Sequence, residues 1–122
     1  MAEQKIKSVA IAAVKKSGQI LLKRYNNFDR ASVRLKSAHE IVTGADLESE
    51  RIIMTTIQKV FPDHRILSEE AGSNAEQSEY LWLIDPLDGT TNFSMHNPLW
   101  SISLALTYQG EIIVGVVYAP CL

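Results

Sequence analysis

One stretch constrains the fold more than any other: Ile84-Asp85-Pro86-Leu87-Asp88-Gly89-Thr90-Thr91-Asn92-Phe93, which follows directly on the apolar run 80–84. That run reads as a buried strand, so the two carboxylates stand at its C-terminal end. Open sheets present ligand-binding groups at such ends. Two acids three residues apart repel, and a cation relieves the cost of ionising both. Gly89 lets the backbone approach a ligand closely. The N–H groups beyond it face an anion if a helix begins there. A cation on one side and an anion on the other point to metal-assisted phosphate chemistry.

The rest of the chain narrows the setting. Its 122 residues suffice for one ordinary domain. A net charge of −2 with no basic block gives no footprint for nucleic acid. The N-terminus has no signal-peptide core and no run is long enough to span a bilayer, so no membrane partner is expected. Cys121 is the sole cysteine, which rules out an intrachain disulfide and fits a reducing cytoplasm.

Hydrophobic periodicity supplies the elements. Residues 3–24 read as a helix, with Ile6, Ala10, Ala13, Val14, Ser17 and Leu21 at three- and four-residue spacing and Gly18 as a weak point. Residues 31–43 read as a hairpin turning near Ser37–His39. Thr43-Gly44-Ala45-Asp46 then opens a second helix, with Glu50 as a candidate capping partner for Asp46. Leu47, Ile53, Met54, Ile57 and Val60 form its apolar face, and Pro62 ends it. A short strand is expected at 65–68, a polar loop at 71–79, and strands at 100–108 and 111–118 joined by a tight turn at Gln109-Gly110. The last strand reads as buried. This order predicts an α+β fold: two helices packed on a largely antiparallel sheet.

Four acids carry the chemistry: Glu69 and Glu70 after one strand, Asp85 at the end of another, and Asp88 beyond it. Hard oxygen donors beside a phosphate site suit Mg²⁺, and the matching reaction is hydrolysis by metal-activated water. The plainer readings are a solvated loop for Glu69-Glu70 and ordinary turn dipeptides for Asp85-Pro86 and Asp88-Gly89. Two rival motifs fail on spacing. A calcium EF-hand loop starting at Asp85 needs oxygen ligands at its third and fifth positions and Glu at its twelfth, where this chain has Leu87, Gly89 and His96. The haloacid-dehalogenase phosphatases need a nucleophilic Asp where Pro86 stands, so a covalent aspartyl-phosphate has no starting atom.

The stretch from Asp85 to Phe93 resembles the first signature of the inositol monophosphatase family, the lithium-sensitive, Mg²⁺-dependent phosphatases. Leu35-Lys36, Ile41-Val42-Thr43 and Asp46 resemble the family's hairpin and helix entry. Ile66-Leu67-Ser68-Glu69-Glu70 resembles its Gly-Glu-Glu segment, with Ser68 in place of Gly. The run from Gly115 to Pro120 is also similar. The resemblance implies a role for each matching position. Glu69 is a metal ligand and helps activate water. Asp85 bridges two metals, the Leu87 carbonyl faces the first and Asp88 binds the second. Gly89 and Thr90 donate N–H groups to the phosphate, and the Thr90 hydroxyl with Asp46 orients the attacking water. Glu70 supports the loop or an outer metal site.

The same resemblance implies a chain about twice as long. Its second signature, Trp-Asp followed by small residues, is not found in these residues, since neither Trp82 nor Trp100 precedes Asp. The expectation is therefore an N-terminal metal-binding α+β domain, 1–122, without the family's C-terminal domain. In a full-length parent the resemblance implies hydrolysis of a small phosphorylated polyol or sugar. Fructose-1,6-bisphosphatase, a 3′-phosphonucleotide phosphatase and a non-catalytic assembly fragment are the alternatives. Alone, this piece is expected to be a weak catalyst and to self-associate as a homo-oligomer through its last strand. His39, His64 and His96 read as surface residues, Lys36 as a solvated lysine, and Trp82 and Trp100 as core aromatics.

Overall fold

A computed structural model describes residues 2–27, 38–68, 72–73 and 78–122. Helix α1 (Ala2–Asn26) is followed by α2 (Ala38–Val60), β1 (Arg65–Ser68), β2 (Gly72–Ser73), β3 (Tyr80–Asp88), a short α3 (Thr90–Ser94), β4 (Ser101–Tyr108) and β5 (Glu111–Tyr118). The strands form one sheet in the order β2-β1-β3-β4-β5. Among the described residues only β1 and β3 run parallel; the other pairs are antiparallel. The fold is α+β, as the element order predicts.

Helix α1 forms for the reason its spacing gives. Ile6, Ala10, Ala13, Val14, Ser17 and Leu21 are all buried, one stripe facing the sheet. Gly18 does not weaken the helix as expected. A Cβ there would lie 2.4 Å from Cε2 of Tyr118 and 3.3 Å from Cγ of Pro120. The missing side chain is the notch into which the end of β5 packs, so the helix runs on to Asn26.

Helix α2 corrects the hairpin reading. Residues 40–43 are helical, while 31–37 lie outside the described residues. Val42, Ala45, Ser49, Ile53 and Ile57 are buried at spacings of three and four. That stripe outweighs the strand-like look of Ile41-Val42-Thr43, whose β-branched side chains disfavour helix only slightly. Leu47, assigned to the apolar face, is 48% exposed. Asp46 therefore stands inside the helix and is no cap, and Glu50 is buried instead of capping.

The helices cover one face of the sheet. Trp82, Ile84, Ile102, Leu104, Leu106 and Val114 point into that core with Trp100 beside them, so both tryptophans are core residues as expected. The tight turn also forms, with φ of 52° at Gln109 and 85° at Gly110, the paired positive values of a two-residue hairpin. Two expectations fail here. Gly72–Ser73 pairs with β1 as a strand, inside the segment assigned to a loop. Strand β5 is an edge on which Val114 alone is buried, and Val117 is 72% exposed.

His64 is not a surface residue. Its ring stacks between Phe61 and Tyr80, each 4.5 Å away centroid to centroid, and Nδ1 accepts a 3.0 Å hydrogen bond from Trp82 Nε1. Burial pushes its pKa below the ordinary 6.5, against a smaller upward pull from Asp63. Protonating Nδ1 would set donor against donor. The unfolded chain thus takes up this proton at a higher pH than the folded one. Stability from neutral His64 is complete above pH 6.5 and is lost as the pH falls from there through the lowered folded value. Urea denaturation across pH 7.5 to 5 should give a falling midpoint for the native chain, and His64→Gln should flatten that slope.

Candidate active site

Side chains alternate along a strand, so acids three residues apart would point to opposite faces. Here they do not. Asp85 pairs with Ser103 and Asp88 with Ser101, with a register shift between them. Ser101 and Ser103 are two apart and share a face of β4, and so must their partners. The bulge absorbs one extra residue around Pro86, which has no N–H to give the ladder. Pro86 and Leu87 are both buried on the helix side. Asp85 and Asp88 thereby come to the open face, away from the helices.

The bulge is tied down from behind. Ser49 Oγ on α2 donates to the Pro86 carbonyl at 2.8 Å, and the Ser17 hydroxyl of α1 bonds Ser49 in turn. Since the Ser49 proton goes to Pro86, Ser17 donates to Ser49. Both serines are fully buried. In the sequence Ser17 falls on the apolar stripe of α1 and Ser49 does not stand out; two hydroxyls on buried stripes are the signal. Ser49→Ala should cost about 2 kcal/mol, because the Pro86 carbonyl and the Ser17 hydroxyl both lose a partner. Adding Ser17→Ala should cost less than its single effect. A double-mutant cycle by urea denaturation checks this.

Asp46 lies one turn before Ser49 on α2, so the helix face that grips the bulge also carries this acid. Its Oδ1 is fully buried. Gly89 follows the bulge with φ 87° and ψ 43° and leads into α3 at Thr90. A helical turn thus begins where the sequence asked for one, and the Phe93 N–H closes it on the Gly89 carbonyl at 2.9 Å. Asn92 Nδ2 donates to the Leu99 carbonyl at 2.8 Å, pinning the returning chain. Thr90 is exposed.

Strand β1 runs parallel to β3 and ends with Ser68 opposite Ile84, the residue before Asp85. Glu69 and Glu70 come next in the chain but lie outside the described residues. Among the described residues no three of His, Cys, Asp and Glu gather into a metal-holding group. The donors on hand, the Asp85 and Asp88 carboxylates and the Leu87 carbonyl, are all hard oxygens, the kind that Mg²⁺ takes. Beside Asp85 the open face forms a groove of about 550 Å³ lined by Leu67, Leu83, Ser103, Ala105 and Val117 among others.

The paired acids at a strand end and the glycine turn after them are the residues on which the sequence resemblance rests. The family description "Inositol monophosphatase family" matches residues 2–122, and the chain belongs to that family. It is 43% identical over 114 residues to the Nus factor SuhB of Pasteurella multocida, covering 93% of this chain and 43% of that protein. It is 37% identical to the inositol-1-monophosphatase of Mesorhizobium japonicum, covering 100% of this chain and 46% of that one. The inositol monophosphatase of Anabaena (Nostoc) sp. superposes with a TM-score of 0.81 at 36% identity, over 98% of this chain and 42% of that one. The chain thus spans less than half the length of these relatives.

Proposed function

We propose that this chain is the metal-binding half of a Mg²⁺-dependent phosphatase acting on a small phosphorylated polyol or sugar. The observation that carries this reading is the β3 bulge, which turns Asp85 and Asp88 to one face directly before the Gly89 turn. Asp85, the Leu87 carbonyl and Asp88 would hold Mg²⁺ together with Glu69. Bound there, the ion supplies Lewis acidity and offsets phosphate charge. Gly89 and Thr90 would orient the phosphate through their N–H groups. The Thr90 hydroxyl and Asp46 would fix the attacking water, accepting its hydrogen bonds so that an oxygen lone pair faces phosphorus. Activity is proposed for a chain of the family's full length; the 122 residues alone should bind Mg²⁺ and turn over weakly or not at all.

A second reading has support in the names of several relatives. The Pasteurella protein is called a Nus factor, which favours an assembly role in which the acids are kept without turnover. Phosphate release separates the two. Inositol 1-phosphate, fructose 1,6-bisphosphate and a 3′-phosphonucleotide would be assayed with Mg²⁺ and with chelator, using a chain of family length. Release that chelator abolishes is expected. Release that survives chelation would sink the metal mechanism, and no release with any substrate would favour the assembly role.

A further inference from the structure

Helices α1 and α2 run antiparallel. Ser17 meets Ser49, Arg24 pairs with Glu48 toward one end, and the Lys5 ammonium lies 5.7 Å from the Phe61 ring centre at the other. On the side away from the sheet they enclose a groove of about 480 Å³. Val9 and Ile52 lie in its floor, and Lys5, Lys16, Arg51 and Lys59 stand around it with no carboxylate among the lining residues. All four cations are exposed, and among the described residues none is in an ion pair, whereas Arg24 next door is. This is a local charge of four on a chain whose net charge is −2. Such a cluster lowers stability through self-repulsion unless something anionic covers it.

The arrangement defines the partner's shape. Antiparallel pairing sets Lys5 with Lys59 at one end and Lys16 with Arg51 at the other. The two ends are eleven residues apart on α1 and eight on α2, about 12–16 Å at helical rise. Between them Val9, Ala12 and Ile52 give an apolar strip, with the hydroxyls of Ser8, Thr55 and Thr56 beside it. We infer that this groove docks an amphipathic, acidic helix of a partner protein, its apolar stripe on Val9 and Ile52 and its carboxylates two to three turns apart against the cation pairs. A nucleic-acid backbone would satisfy the cations but leave the apolar floor uncovered, and no aromatic ring lines the groove for a base to stack on. The groove lies behind the helix layer, whereas Asp85 and Asp88 face the other side of the sheet. Docking there is thus independent of the phosphatase reading.

The test is a naive display library of helical peptides selected on the 122-residue chain, with the enriched peptides then measured by fluorescence anisotropy. Enriched sequences should carry an apolar stripe and two acidic positions seven to eleven residues apart. Lys16→Glu with Arg51→Glu should weaken the best of them about tenfold or more, with a thermal unfolding midpoint no lower than that of the parent chain to confirm folding. Lys5→Glu with Lys59→Glu should do the same from the other end. No enrichment, enrichment without acids, or binding indifferent to both pairs would overturn the inference. Tighter binding of an oligouridylate through the same four cations would overturn it in favour of nucleic acid.

Discussion

Gly89→Ala should destabilise the chain by about 3 kcal/mol, and Gly110→Ala by only about 1 kcal/mol. The two glycines have nearly the same positive φ, 87° and 85°, so the penalty that a positive φ puts on an L side chain is common to both. Their surroundings differ. A Cβ on Gly89 would stand 2.8 Å from the Leu99 carbonyl oxygen and 3.3 Å from the Trp100 Cα, whereas nothing lies within 4 Å of one on Gly110. Leu99 O is held by Asn92 and Trp100 is buried against Phe93 and Tyr25, so neither yields cheaply. Urea denaturation at constant slope measures both shifts. Equal shifts would mean that the Leu99 segment gives way and that Gly89 is required only for its dihedral angles.

Asp85→Asn should weaken Mg²⁺ binding by roughly a hundredfold or more. A full negative charge beside a divalent ion is replaced by a neutral amide, and at the effective dielectric of a partly buried site that is worth about 3 kcal/mol. Asp85 is half-buried whereas Asp88 is exposed. Water and salt screen an exposed carboxylate more strongly, so Asp88→Asn should cost less. Calorimetric titration with Mg²⁺ gives the order. An Asp88→Asn loss equal to or larger than that of Asp85→Asn would remove Asp85 from its central place in the proposal.

The strand at 80–84, the turn at Gln109-Gly110 and the stripe of α1 were legible because each is a local pattern that burial reinforces. The first turns of α2 were not, because Ile41-Val42-Thr43 has strand-like composition and only the buried series from Val42 to Ile57 decides for helix. His64 escaped because its cage joins Phe61 to Tyr80 and Trp82, which the sequence holds apart. The acids themselves were found from their spacing, but their common face was not. Register across β3 and β4 is a property of two strands. The one local clue was a proline inside an apolar run, which marks a bulge. Glu69 and Glu70 were picked out by their place after a strand, Glu69 was preferred as a ligand by resemblance, and both lie outside the described residues. Thr90, Asp46 and Leu87 rest on the same resemblance, now with a bulge, a buried helix face and a glycine turn beneath them.

In the proposed function the β3 bulge and the Gly89 turn build a divalent-cation site on the open face of the sheet. Mn²⁺ in place of Mg²⁺ tests it directly, because a paramagnetic ion broadens the amide resonances nearest to it. In ¹⁵N–¹H spectra of the 122-residue chain, substoichiometric Mn²⁺ should first erase the amides of Asp85, Leu87, Asp88, Gly89 and Thr90, and excess Mg²⁺ should restore them. Broadening that begins elsewhere, or that spreads evenly over exposed acids such as Glu3, Glu79 and Glu111, would contradict the account.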